Sequence, residues 1–353
     1  MTLPSALHRV LLRVAGHAPA PLLSAARGWL ATGEAAEAAR ALAFAALARQ
    51  VHLTDADALL LTGALAAAGG PADLLADVPR SGRDDPPPYA LTPTRPAAGP
   101  ADPAGGAGPD RVDRAAVAAV AGVDGSAGPT GLWRVWRHPV MATPYPPAKR
   151  VYLAQDRAGA VALAGRIQAA LVAAGEHDPL VEVFADAADL PSYQRRALRR
   201  AVLLWAARPA GPVRIAATFD ALDAAGNPAF AADRPRLPAA EADRVAGYLA
   251  AGCCLVASPV RVPDVIEPTR RVPTDLRADG RWIWSAAAGH YLTRYRIAPD
   301  PGLLATIRAA DYTVPDVDAV AVHRARAALA GAAGGPDGPA SLRRVGDGAA
   351  GDE

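Results

Sequence analysis

Residues 150–185 read RVYLAQDRAGAVALAGRIQAALVAAGEHDPLVEVFA, and this stretch decides the fold. Arg150–Gln155 is a short run with Val151 and Leu153 at strand spacing. Arg157–Ala174 then carries Val161, Leu163, Ala164, Ile167 and Leu171 at the 3.6-residue period of a helix. Leu180–Ala185, with Val181, Val183 and Phe184, returns to an extended pattern. Outward from this core, Leu132–Arg137 alternates as a strand, with Trp133 and Trp136 facing opposite ways. Leu190–Ala207 reads as a helix ended by Pro209, and Val213–Thr218 as a further strand. Strands alternating with helices signal crossover connections, so a central, largely parallel sheet is expected.

Further along, residues 220–238 read as an irregular excursion, Ala239–Ala251 as a helix stopped by Gly252, and Cys253–Ser258 as a strand. Asp279-Gly280 joins the extended runs Arg270–Leu276 and Arg281–Trp284, a strong β-hairpin signal. Helices are expected at Ser285–Tyr295, Pro301–Ala310 and Asp316–Leu329. The whole of 131–331 is therefore expected to be one α/β domain, with a hairpin and C-terminal helices added to the sheet.

Residues 1–79 read as a small helical bundle. Leu7, Val10, Leu11 and Val14 share a helical face, Leu22–Ala31 and Glu34–Arg49 follow, and Thr54 N-caps a fourth helix with Asp55 and Asp57 in its first turn. Residues 80–130 are rich in Pro, Gly and Ala, including Pro86-Pro87-Pro88 and Gly105-Gly106. Such a segment buries too little apolar surface to offset its ordering entropy, so a disordered, flexible linker is expected, with Arg111–Val120 a transient helix. Residues 332–353 read as a disordered tail. The expected fold class is thus mixed α+β in four segments.

The 353 residues include 34 Pro, 32 Gly and a formal net charge of +2, which argues against a dedicated nucleic-acid binder. Lys149 is the sole lysine, the pattern of a GC-rich coding bias, which weakens any argument from arginine or alanine abundance. Residues 131–237 are the one basic part, with 14 Lys/Arg against 9 Asp/Glu. His8, Arg9 and Arg13 interrupt the apolar N-terminus, which excludes a signal-peptide pattern, and no uncharged apolar run is long enough to span a membrane. A cytoplasmic protein without a membrane partner is expected. The two cysteines, Cys253 and Cys254, are adjacent and suit neither a disulfide framework nor a zinc site; a buried, inert pair is expected.

Three groups are candidate sites. Arg195, Arg196, Arg199 and Arg200 cover one helix face, suited to an acidic partner or simply to solvent. Trp282 and Trp284 share one side of a strand, with Ile283 on the other, and two neighbouring indoles can anchor a partner or stack on a flat ligand. His290 and Tyr291 follow on a helix; the alternative for this group is a core cluster tying hairpin to helix. Asp264, Glu267, Asp275 and Asp279 match no metal-ligand loop, the seven histidines form no His-Glu-x-x-His pattern, and no Gly-x-Ser-x-Gly elbow occurs. No catalytic residue, metal ligand or cofactor is therefore assigned.

The run Ala278-Asp279-Gly280-Arg281-Trp282-Ile283-Trp284, then His290-Tyr291-Leu292, then Pro299-Asp300-Pro301-Gly302-Leu303-Leu304, resembles a family of uncharacterised actinobacterial proteins. Their pattern has threonine where Ala278 stands and tyrosine where His290 stands. Leu190-Pro191-Ser192-Tyr193-Gln194-Arg195 and Leu203-Leu204-Trp205-Ala206 share the resemblance, which covers residues 131–330. It carries no established activity; similar short motifs occur in proteins of bacterial conflict systems, including immunity proteins. Residue types and resemblance together lead to a non-enzymatic adaptor whose partner is another protein. The alternative is an enzyme with a small-molecule site near Trp282, His290 and the Asp264–Glu267 segment.

Overall fold

The computed structural model describes residues 2–71, 73–82, 87–96, 109–123, 128–140 and 146–334. It is a mixed α+β structure that divides into two units, Met1–Arg208 and Pro209–Glu353.

The first unit opens with four helices, α1 (Leu3–Val14), α2 (Ala20–Thr32), α3 (Ala35–Leu47) and α4 (Asp55–Ala67). Thr54 caps α4 as expected: its hydroxyl accepts from the Asp57 amide, and the Asp57 carboxylate accepts in return from the Thr54 amide. The sheet comprises β1 (Tyr89–Thr92), β2 (Gly131–Pro139), β3 (Lys149–Gln155), β4 (Leu180–Phe184) and β5 (Val202–Ala206), with helices α5 (Arg111–Ala121), α6 (Ala160–Ala173) and α7 (Ser192–Arg200). β2 pairs with β3 on one side; on its other side β5 meets residues 131–134 and β1 meets residues 136–139.

The expectation of a largely parallel sheet is corrected. In the first unit's sheet, β3 and β4, linked by the crossover helix α6, are the one parallel pair among the described residues, and in the second unit Arg214–Ile215 pairs in parallel with Trp282–Ser285. β2 and β3 are separated by residues 140–148, too short a link for a crossover, and pair antiparallel. The expected helix Leu190–Ala207 is also corrected. It ends at Arg200, Ala201 is extended, and Val202–Ala206 becomes a strand that satisfies the open backbone edge of β2.

Within residues 80–130, the described stretches 87–96 and 109–123 contain packed structure. Tyr89–Thr92 pairs with β2, and α5 buries Ala116 and Val120 against β3, β4 and α6. Asp113 of α5, fully buried, accepts from Arg134 at 2.7 Å and from the Tyr152 hydroxyl at 2.8 Å. Aspartates and small apolar residues in α5 find partners only through tertiary contact, which a composition argument misses. Residues 83–86, 97–108 and 124–127 of the expected linker lie outside those described. The N-terminal helices are likewise part of the sheet's unit: Arg27 of α2 meets Glu182 of β4, and Gln194 of α7 donates to the Leu12 carbonyl.

The second unit holds a four-stranded sheet in the order β6 (Arg214–Ile215), β13 (Trp282–Ser285), β12 (Leu276–Ala278), β9 (Cys253–Val256). Two small pairs, β7 (Ala221–Leu222) with β8 (Pro228–Ala229) and β10 (Arg261–Pro263) with β11 (Arg271–Pro273), give order to the excursion and the following loop. Helices α8 (Ala239–Ala251), α9 (Ala286–Tyr295), α10 (Pro301–Ala309) and α11 (Ala319–Gly334) complete it. The hairpin turns at Asp279-Gly280, where Gly280 has φ of +90° and the Asp279 carboxylate accepts from the amides of Arg281 and Trp282. Strand alternation holds on β13: Trp282 and Trp284 pack with α8 and α10, and Ile283 packs on the other face with Leu255, Leu276 and Ala325. The described part of α11 carries helix to residue 334, three residues into the expected tail; the rest of 332–353 lies outside the described residues.

Candidate functional site

The two tryptophans are core residues. Trp284 is 1 % exposed and donates from Nε1 to the Leu249 carbonyl at 3.1 Å; Trp282 donates to Thr306 Oγ1 at 2.9 Å. Gly252 and Gly302 leave room for the indoles, since a Cβ at Gly252 would lie 2.3 Å from Trp284 Cζ2. Neither ring offers a face to a ligand or partner, which corrects the anchoring role expected of them. Tyr291 is also buried, in an aromatic cluster with Phe219 and Phe230, and its hydroxyl accepts from the Val265 amide. Arg195, Arg196, Arg199 and Arg200 are exposed, as expected of a charged face, while Tyr193, Gln194 and Ala197 bury the other side of α7. Cys254 is exposed and Cys253 half-buried, so the pair is not sequestered.

His290 is brought against the acidic segment that the sequence placed near it. Its Nε2 lies 2.7 Å from Asp264 Oδ2, which also accepts from the Tyr295 hydroxyl at 2.9 Å. Asp264 Oδ1 accepts from the amides of Ile266 and Glu267. Burial alone would push this carboxyl up; these donors outweigh burial and hold it below the usual carboxylate range. Burial and the neighbouring carboxylate push the Tyr295 hydroxyl up to about 12. An imidazole oriented by a buried carboxylate is half of a hydrolytic triad. Among the described residues, no serine, threonine or cysteine hydrogen-bonds to His290.

The first unit contains a cavity of about 860 Å³, a size typical of small-molecule sites. Its position follows from the sheet's connections. α6, which follows β3, packs on the face carrying Val181 and Val183; α7, which follows β4, reaches the opposite face through Gln194 and Glu182. Neighbouring parallel strands whose exits diverge to opposite faces leave a crevice at their carboxyl ends. The cavity lies there, between Asp156–Ala162 and Phe184–Pro191, with α1 and the start of α4 completing the wall. Leu12, Val14, Val51, Phe184 and Leu190 supply apolar surface, and Arg13 ion-pairs with Asp57 in the wall.

Two buried polar side chains in this wall stand out. His8, 4 % exposed, has Nε2 at 2.7 Å from the Val183 carbonyl. Burial, reinforced by the positive charge of Arg27, lowers its pKa to about 4. A carbonyl only accepts, so the neutral ring carries its proton on Nε2 and leaves Nδ1 as a lone-pair acceptor. Asp156, also 4 % exposed, accepts from the Ala158 amide through Oδ1 at 3.0 Å. Asp156 Oδ2 has no donor among the described residues. A Cβ at Gly159 would lie 3.1 Å from Asp156 Oδ2, so glycine there preserves space around this oxygen.

Sequence reasoning missed both residues. A histidine on the apolar face of α1 and an aspartate directly after the first strand of β3–α6–β4 were the available signals; both needed the strand pairing to acquire meaning. Among the described residues, no group of three or more His, Cys, Asp or Glu is placed to hold a metal ion, and no helix is long and apolar enough to cross a membrane. No protein-family model matches this chain, and no curated protein and no solved structure is significantly similar to it.

Proposed function

We propose that the protein is a small-molecule binding protein whose site is the cavity of the first unit. The observation that carries this reading is the 860 Å³ cavity at the diverging exits of β3 and β4, lined by apolar surface and a few buried polar groups. Binding rather than turnover is supported by His8: a base with a pKa of about 4 is poorly matched to proton transfer near neutrality but remains a good hydrogen-bond acceptor. The binding class agrees with the reading of the sequence; its object moves from a protein to a small molecule.

Thermal unfolding of the full chain against a library of small metabolites tests this. A ligand at a hundred times its Kd stabilises the fold by about 2.7 kcal/mol, a shift of roughly 5–10 °C for a unit of this size. The same compound is expected to leave Ala160→Trp unshifted, because an indole at this half-exposed lining residue, the first of α6, takes up cavity space. No shift with any compound, or an equal shift in the filled variant, overturns the reading.

A second, catalytic reading is supported by the Asp264–His290 pair, which orients the imidazole as a general base for hydrolysis. It predicts slow turnover of activated p-nitrophenyl esters that His290→Gln abolishes while the melting temperature holds. Wild-type protein without measurable turnover counts against it.

A further inference from the structure

The reading of the cavity as a small-molecule site leaves its ligand open, and the identity of that ligand is inferred here on the strength of that reading. The wall's formal charges balance. Among the described lining residues, Arg9, Arg13, Arg157 and Arg195 are equal in number to Asp57, Asp156, Asp186 and Asp189, so these residues present no net charge of either sign to a ligand. A neutral molecule suits such a wall better than an anion or a cation.

The atoms of His8 and Asp156 that the bonds to the Val183 carbonyl and the Ala158 amide do not use, His8 Nδ1 and Asp156 Oδ2, have the same character. Both accept hydrogen bonds: the neutral imidazole carries its proton on Nε2, and a carboxylate oxygen has lone pairs only. A ligand that displaces solvent from these acceptors must return a donor to each, because an acceptor left unmade costs free energy. The elements around them fix their positions. The Val183 carbonyl holds the His8 ring by its other nitrogen, and the Ala158 amide holds the Asp156 carboxylate by its other oxygen.

We infer that the cavity takes a neutral polyhydroxylated molecule, a sugar or the sugar portion of a nucleoside, with one hydroxyl donating to His8 Nδ1 and another to Asp156 Oδ2. The apolar wall of Leu12, Val14 and Phe184 covers the carbon skeleton. Hydroxyl donors to a neutral and to a charged acceptor are each worth enough to read out singly.

The test is calorimetric titration of the full chain with ribose, glucose, myo-inositol, adenosine and uridine. Free sugars and nucleosides in one panel separate the two sources of the same hydroxyl chemistry. Two variants probe the acceptors. His8→Gln keeps an amide N–H for the Val183 carbonyl and removes the Nδ1 acceptor. Asp156→Asn keeps an oxygen for the Ala158 amide and turns the second acceptor into a donor. Each is expected to weaken binding of the best panel member about tenfold or more, with an unchanged melting temperature for the free protein. The His8 Nδ1 nitrogen resonance should shift upfield when that ligand binds. If a panel member binds and Ala160→Trp excludes it, but both acceptor variants bind it as tightly as wild type, the hydroxyl inference is overturned while the cavity reading stands. The hydroxyl inference fails equally if only molecules without hydroxyl groups, from the wider library, bind. If nothing binds at all, the cavity reading falls first and takes this inference with it.

Discussion

Replacing Glu182 with Leu lowers the unfolding free energy of the first unit by about 3–5 kcal/mol. Arg27 and Glu182 are each 1 % exposed, and Arg27 Nη2 donates to Glu182 Oε2 at 2.7 Å. Gln194 Nε2 donates to the same oxygen at 3.2 Å. Arg27 Nε and Nη1 have no hydrogen-bond partner among the described residues, so the carboxylate is the main compensation for a buried guanidinium. Removing it strands a positive charge in low dielectric, and the cost is mostly that of the orphaned cation rather than the worth of the bond. The double variant Arg27→Met with Glu182→Leu therefore recovers most of the loss. Urea unfolding followed by circular dichroism, with amide exchange on β3 and β4, measures both. A loss below about 1 kcal/mol in the single variant would mean that water reaches the pair and that α2 is not docked on β4. The experiment thus reports on organisation as well as energy: the pair joins an N-terminal helix to the edge strand β4, 155 residues away in sequence.

Local periodicity was a good guide wherever one pattern met one neighbour. Helix α8 occupies Ala239–Ala251, the span its apolar spacing and Gly252 predict. The Trp282-Ile283-Trp284 alternation sorts correctly into two packing layers, and Asp279-Gly280 makes the hairpin. Periodicity failed where a long-range partner decided the outcome. Val202–Ala206 is apolar at both helical and strand spacing, and only the open edge of β2 selects the strand. The Pro/Gly-rich segment looked incapable of packing because its average composition is poor, yet Arg111–Ala121 buries an alanine, a valine and an aspartate. Averages dilute a short element of that kind.

The candidate sites divide in the same way. His290 was legible as an odd residue beside an aromatic group, and Asp264 as a nearby acid, but their 2.7 Å contact required the fold. Trp282 and Trp284 were conspicuous because tryptophan is large and rare, which is equally a property of core residues. His8 and Asp156 are ordinary in sequence. They lie far apart along the chain and meet one cavity only because β4 supplies the carbonyl that orients the first and β3 ends just before the second.

Trp284→Ala is expected to destabilise the second unit by about 3–5 kcal/mol, the range for emptying a buried indole site. The ring packs near Tyr248 with centroids 6.0 Å apart, and the Leu249 carbonyl loses its indole donor on truncation. The complementary change, Gly252→Ala, presses a methyl into the same ring and is expected to cost about 1–3 kcal/mol by overpacking. The two sites share one contact, so their effects should not add: with Trp284 already truncated, the Gly252→Ala penalty should largely vanish because its methyl enters the vacated space. Denaturant unfolding of the two single variants and the double variant gives this coupling directly. Additive losses would mean that the indole does not fill the space beside Gly252, and the assignment of Trp284 to the core would fail with it. A surface-exposed anchoring tryptophan predicts the opposite pattern, with little loss of stability in either single variant and no coupling between them.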